Sequence, residues 1–260
     1  GMAMKNILKI MLMMITIFTI AGSAVYAAEI PVSDQDQLIT SSDWTEISNL
    51  QDEMKKEEPD ATIDYDKALK VYVDCNLIKL QTADTKKLTS ALESANYVWV
   101  IPFKMEKTYG MFTVAKGLPL REEAKSVLTK AEQEEVKNHA GKWMITEIAE
   151  HTVEPYYDIL LEKREALSDC TRVVLVGSQP GMRQPVALGM DDETARIWIS
   201  LGYQYPVMEK IPETQNVESG VYSFDSVAEI SDTYIEDSEV STGAGVQSRS
   251  SMKYVAGIGI

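Results

Sequence analysis

The chain has 260 residues, which is enough for one large domain or for one medium domain with tails. Its formal net charge at pH 7 is −15, and the acids are concentrated in the flanks: residues 28–61 carry ten acids against two lysines, whereas residues 62–210 carry 22 acids and 19 bases. An acidic chain without a basic stripe repels a phosphate backbone, which argues against nucleic-acid binding.

The first 27 residues have the pattern of a secretory signal peptide. Lys5 and Lys9 precede an uncharged, mostly apolar run at 10–20, and a small-residue cleavage site ends at Ala27. The run is shorter than the roughly 20 apolar residues that a spanning helix needs, so we expect cleaved export, to the cell surface or the medium, rather than an uncleaved anchor. Gly1 is interpreted as an expression scar.

Residues 28–61 are predicted to form an acidic leader that contains one short helix. Asp43 is a favourable N-cap, and Pro59 stops the helix after Glu58. We expect the apolar face of this helix to dock on the folded domain rather than to bind a cofactor. That face consists of Trp44, Ile47, Leu50 and Met54.

Residues 62–210 are predicted to form the globular domain, because apolar residues recur there at strand and helix spacings. Within it, Thr171–Met190 combines a buried strand, a Pro/Gly loop and a return strand. In chain order the predicted elements are a strand at 68–75, a helix from Asp84, strands at 97–103 and 109–116, a helix at 120–139, a strand at 143–148, a helix from Pro155, and strands at 171–176, 185–190 and 195–201.

This order predicts an α+β fold with an antiparallel or mixed sheet and helices packed on one face. The order β-α-β-β occurs twice, with an offset of about 74 residues. Residue identity between the two segments is negligible, so the pattern fits either a degenerate duplication or a coincidence.

Residues 211–260 are predicted to be an acidic, Ser/Thr-rich tail that is largely disordered, with one edge strand or short helix at 221–230. The apolar residues 254–260 are too few to span a bilayer, and they fit a loose tail or the start of a truncated anchor. Membrane contact is therefore expected only through an uncleaved leader or such an anchor.

The loop that follows Gly177 contains the chain's only candidate for a glycine-rich catalytic cradle. A nucleophile elbow needs Gly-x-Ser-x-Gly, but Ser178 directly follows the first glycine, and a phosphate loop would open a helix rather than a second strand. We interpret this segment as a connecting loop, with Ser178, Gln179 and Arg183 as a candidate contact surface.

The two histidines do not form a recognisable metal motif. His139 ends a predicted helix, where the negative end of the helix dipole favours a positively charged side chain and accounts for a histidine without a metal. His151 follows Glu147 and Glu150, but a zinc-protease motif needs histidine where Glu147 stands, and eleven intervening residues fix no geometry toward His139. We expect neither a metal nor another cofactor.

Cys75 and Cys170 are the two cysteines of the chain. An oxidising compartment would permit a disulfide that closes a loop of about 95 residues, and two separate buried thiols are the alternative. Neither cysteine has the spacing of a catalytic thiol or of a zinc ligand.

These observations favour a non-enzymatic, exported binding module for an extracellular protein or a cell-envelope component. One alternative is an exported hydrolase that acts through carboxylates such as Asp191 and Asp192, together with His151. A second alternative is an inhibitor or structural partner of a secreted enzyme. A sheet edge at 195–201 is a candidate for completion by a partner strand.

Overall fold

The computed structural model describes residues 29–177, 179, 182, 184–202 and 207–232. Within these residues, nine strands form one mixed sheet. The strands are β1 Thr62–Ile63, β2 Leu69–Tyr72, β3 Tyr97–Lys104, β4 Tyr109–Lys116, β5 Trp143–Thr152, β6 Arg172–Val176, β7 Val186–Met190, β8 Ala195–Ser200 and β9 Val221–Ser223. The helices are α1 Trp44–Ile47, α2 Gln51–Glu57, α3 Thr85–Glu93, α4 Glu122–Lys125, α5 Lys130–His139, α6 Tyr156–Glu162 and α7 Phe224–Asp232.

Two antiparallel meanders, β2–β5 and β6–β9, are joined by one parallel pair between β2 and β6. The strand order is β5-β4-β3-β2-β6-β7-β8-β9, and β1 pairs beside β3. Val71 aligns with Leu175 and Tyr72 with Val176 across the parallel junction. The predicted α+β class with a mixed sheet is therefore confirmed. The sheet does not repeat the β-α-β-β segment: β2 pairs with β3, whereas β5 pairs with β4 and not with β6.

The sheet buries side chains on both faces, because alternate residues of a strand point in opposite directions. Val173 and Leu175 lie in one apolar cluster with Tyr156 and Leu160 of α6. Val174 lies in a cluster on the other face, where α3 and α7 pack. Most helices thus share one face as predicted, and α6 covers the opposite one.

The described part of the leader, residues 29–61, packs into the same core. Leu38, Ile47 and Met54 are fully buried against the aromatic and aliphatic side chains of β3 and β4. The predicted docking of the helix therefore occurs. Asp43 stands at the N-cap position of α1 but makes no cap hydrogen bond, so that role was predicted wrongly. Its carboxylate instead accepts hydrogen bonds from Trp99 and another ring of β3, as described below.

The segment at 221–230 forms both of the predicted alternatives, since β9 runs directly into α7. β9 pairs with β8, so the expected free edge at 195–201 is wrong: this strand is internal. Phe224 of α7 stacks on Trp198 of β8, with ring centroids 5.4 Å apart. The predicted signal peptide and the tail beyond Asp232 lie outside the described residues.

The predicted helix at 120–139 is two short helices. Thr129 interrupts it and caps α5 in a reciprocal capping box with Glu132. Thr129 donates its backbone N–H to the Glu132 carboxylate at 2.9 Å and accepts the Glu132 N–H at 3.2 Å. Among the described helices, none combines the length and the apolar composition needed to cross a membrane.

Candidate functional site

Gln179 of the predicted contact loop faces inward. It is 3% exposed. Its side-chain oxygen accepts the Leu77 N–H at 3.1 Å, and its amide nitrogen donates to the carbonyls of Cys75 and Gly177 at 2.5 and 3.0 Å. Gln179 therefore ties the loop after β6 to the segment after β2. Ser178 and Arg183 lie outside the described residues.

Both cysteines are free thiols in the structure. Cys75 and Cys170 are buried in the clusters on opposite faces of the sheet, so the structure has two separate thiols instead of the disulfide. Burial raises the pKa of Cys75, and burial together with nearby aspartates raises the pKa of Cys170 to about 11. Neither thiol is thereby prepared as a nucleophile.

The residues that a hydrolase would need do not converge. His151 is exposed, has a φ of 57° and is the extra residue of a β-bulge in β5. Asp191 lies in the β7–β8 turn, five strands away, which corresponds to about 24 Å at normal strand spacing. His139 precedes the opposite end of β5, and the strand from Trp143 to His151 spans about 26 Å.

The Asp191 carboxylate organises its own turn. It accepts the N–H groups of Thr194 and Glu193 at 2.7 and 2.8 Å and pairs with Arg196 at 2.8 Å. The Thr194 bond, the Arg196 guanidinium and the Glu193 bond hold the pKa of Asp191 below its usual range. These contacts give the Asp191 carboxylate a structural role in the turn.

One carboxylate pair lies beside α6. Burial, a hydrogen bond and charge repulsion from Glu162, and repulsion from Asp158 raise the pKa of Glu154, against the attraction of Lys67. Lys67 itself pairs with Asp158 at 2.9 Å. The two cavities characterised below include none of these residues, and the described residues contain no group of three or more His, Cys, Asp or Glu side chains placed to hold a metal.

An apolar cleft of about 310 Å³ opens at the end of the β2–β5 meander. Residues 95–98 and 115–119 line it together with Val73, Gly141 and Trp143. The antiparallel registers place these segments together, because the start of β3, the end of β4 and the start of β5 meet at one end of the sheet. The volume is at the lower end of the range for small-ligand sites.

The aromatic wall of the cleft consists of Tyr97 and Trp143, whose ring centroids are 5.9 Å apart. The Lys116 ammonium lies 5.8 Å from the centroid of the Trp143 ring, at the mouth. On the other side, Asn96 donates its amide to the Asp74 carboxylate at 2.9 Å. The cleft therefore has apolar walls and a few polar groups at its rim.

Gly117 and Gly141 line the cleft where the backbone after β4 passes close to the backbone before β5. A Cβ on Gly117 would lie 1.9 Å from the carbonyl oxygen of His139, and Gly141 has a φ of 74°, so both positions favour glycine. The Gly141 N–H donates to the Gly117 carbonyl at 2.8 Å, and the Gly117 N–H donates to the Lys142 carbonyl at 2.9 Å. These two bonds join the ends of the excursion that carries α4 and α5.

Behind the cleft, Lys70 lies among three aromatic rings. Its ammonium is 4.2 Å from the Tyr97 centroid, 5.4 Å from Trp99 and 5.6 Å from Tyr72. Burial lowers the pKa of Lys70, and the charges of Asp36 and Asp43 oppose that shift. The Lys70 cation–π contact stabilises the position of the Tyr97 ring, and that ring also lines the cleft.

The leader fixes these rings through two carboxylates. Tyr97 donates its hydroxyl to Asp43 at 2.7 Å, and Trp99 donates its indole N–H to the same oxygen at 3.0 Å. Burial and the hydrogen bond to Asp43 raise the pKa of Tyr97. The cleft wall is therefore held by a hydrogen bond from a segment that does not line the cleft.

Asp36 forms a second, buried network with Ser33, Tyr72 and Arg172. Tyr72 and Ser33 donate their hydroxyls to its carboxylate at 2.6 Å, and Arg172 forms an ion pair with it at 2.9 Å. Asp36 is 3% exposed. Burial and the bond to Asp36 raise the pKa of Tyr72. The network links the leader to both strands of the parallel junction.

A second cavity, also about 310 Å³, lies between residues 78–83 and α7. Ile78, Phe224 and Ala228 face it together with Gln81 and Asp225. It has one aromatic ring and no cation in its lining, so it offers less to an apolar ligand with a defined polar end than the cleft does.

Comparison with protein-family models, with curated proteins and with solved structures gives no match. The function is therefore argued from the site.

The sequence pattern does not predict that Tyr97, Lys116 and Trp143 are neighbours. Each was predicted to lie at the end of a strand, which is correct, but only the strand order brings those ends together. The glycines beside them, Gly117 and Gly141, are the local signal for a close approach of backbone at this point.

Proposed function

We propose that the protein is an exported, non-enzymatic binding module, and that the cleft holds an apolar group of its ligand. The observation that carries the proposal is an open apolar cleft with an aromatic wall of Tyr97 and Trp143, in which Lys70 and Asp43 hold the Tyr97 ring from outside the cleft. Concave, apolar and largely pre-formed sites with few polar groups are typical of ligand binding. Export is supported by the pattern of the first 27 residues.

A binder fits the described residues better than a hydrolase does. His151 and Asp191 lie far apart, and the pair Glu154 and Glu162 lies outside the cleft. In a glycosidase, two carboxylates flank the bond that is cleaved. An extracellular protein or an envelope component could present an apolar group to the cleft, and an inhibitory or structural partner would use the same surface.

The expected affinity for an isolated group is low. One aromatic ring buries roughly 150 Å², which corresponds to about 4 kcal/mol and to a dissociation constant of about 1 mM before further losses. A natural ligand would therefore add contacts outside the cleft, and a small probe must be studied at millimolar concentration.

The test is an NMR titration of the labelled protein with 4-phenylbutan-1-ol, a neutral probe. We expect amide shifts at 116–119 and 141–143, and about fivefold weaker binding for Leu118→Asp, which places a charge in the apolar rim. Leu80→Asp is the matched control, because Leu80 is 45% exposed and lies outside the cleft. Shifts scattered over the surface, or equal effects of both variants, would contradict the proposal.

A further inference from the structure

The polar groups of the cleft give it a direction. Lys116 is the only charged side chain in the lining, and it stands at the end of β4. The Asp74 carboxylate lies past the end of β2, bonded to Asn96 at the opposite rim. β4 and β2 are separated by β3, so Lys116 and Asp74 stand at the ends of strands that are about 10 Å apart at normal strand spacing.

Lys116 is exposed, and its one described contact is the Trp143 ring. The described ion pairs of the chain involve Lys67, Lys125, Lys137, Arg172 and Arg196, and not Lys116. The ammonium is therefore available beside an apolar surface. A charge-assisted bond from such a group is stronger than a neutral one.

We propose that the ligand of the cleft is an organic anion with an apolar body, whose carboxylate lies beside Lys116 and points away from Asp74. This inference rests on the proposed function and adds the chemical class of the ligand. The apolar body would lie against Tyr97 and Trp143. Because the chain carries a net charge of −15, its overall field disfavours anions, so a preference for an acid must come from the local cation.

The test compares 4-phenylbutyrate with 4-phenylbutan-1-ol, which share the apolar body and differ in charge. In the unmodified protein at low ionic strength we expect the acid to bind about tenfold more tightly than the alcohol. Lys116→Met keeps the apolar stem and removes the charge, so the ratio should fall to about one or below, because only the unfavourable overall field remains. Lys116→Arg should retain most of the preference.

Lys104→Met is the matched control. Lys104 is exposed, ends β3, and its ammonium lies 5.8 Å from the Tyr109 ring, but it does not line the cleft. The acid preference should survive in this variant, and raising the salt concentration should weaken the preference in the unmodified protein.

The outcomes separate the two proposals. Equal affinity for acid and alcohol in the unmodified protein would overturn the charge inference and leave binding in the cleft intact. Loss of the preference in Lys104→Met as well as in Lys116→Met would overturn it too, since the effect would then be a general field. Failure of both probes to bind would overturn the proposed function itself.

Discussion

Asp36→Asn should destabilise the protein strongly, although the substitution hardly changes the shape of the side chain. Asp36 is 3% exposed and serves as counter-charge to Arg172, whose side chain is 17% exposed. The variant leaves the guanidinium without a negative partner and gives Tyr72 one acceptor atom fewer. Breaking a buried ion pair costs about 3–5 kcal/mol. Since Arg172 retains some contact with water, we expect about 3 kcal/mol.

A double-mutant cycle isolates the interaction. Arg172→Met alone leaves the Asp36 carboxylate uncompensated, so it should also be costly. The double variant removes both charges, and its cost should be smaller than the sum of the single changes by about 2 kcal/mol. Urea unfolding, followed by tryptophan fluorescence and by circular dichroism, gives the three free energies of unfolding.

The pair Asp191 and Arg196 is the exposed counterpart, with side chains 24% and 43% exposed. Asp191→Asn should cost much less than Asp36→Asn, because solvent screens an exposed ion pair. If Asp36→Asn cost no more than Asp191→Asn, or if the cycle gave no coupling energy, the claim that the Asp36 network locks the leader to the sheet would be refuted.

Three further predictions concern titration, thiols and local stability. The folded-state pKa of Glu154 is raised, chiefly by burial and then by Glu162, so its contribution to stability falls as the pH rises from about 4 toward 7. Glu154→Gln should therefore raise the melting temperature at pH 7 and leave it unchanged near pH 3.5. Calorimetry at both pH values checks this prediction. Cys75 and Cys170 should each react with iodoacetamide at least about tenfold more slowly in the native protein than in urea, and intact mass under non-reducing conditions should show two free thiols; a mass two hydrogens lower would reveal the disulfide instead. Amides of α5 should exchange with deuterium at least about tenfold faster than those of β3, because Val136 is the one buried residue of that helix; equal protection would contradict this.

The apolar runs predicted the central strands closely. Tyr97–Lys104 and Tyr109–Lys116 agree with the predicted hairpin to within one residue, because strands buried on both faces are nearly continuous apolar runs. The leader was predicted to contain one helix and has two, α1 and α2, which a 3-10 turn at Ser48–Leu50 connects; Ile47 and Met54 of the predicted apolar face are buried as expected.

The sequence-based predictions were wrong where contacts between residues far apart in the chain determine the local structure. Asp43 has the local pattern of an N-cap, but Tyr97 and Trp99 bring donors that would be costly to leave unpaired in the core. Val221–Ser223 lies in a polar, acidic segment, and its three residues carry too little pattern to predict that they cover 195–200.

The cleft could not be predicted for the same reason. Its lining comes from the ends of four strands, and the sequence carries no signal for their order in the sheet. Lys116 and Trp143 are separated by 27 positions but are direct partners in the β4–β5 register. Their proximity depends on the pairing of whole strands, which alternation of apolar residues alone does not fix.

A crystal structure of the protein with 4-phenylbutyrate tests the central claim most directly. We expect the phenyl ring to lie against Tyr97 and Trp143, and the carboxylate to lie within about 3 Å of the Lys116 ammonium. A cleft without the ligand at saturating concentration, or a ligand bound beside His151 and Glu154 instead, would contradict it.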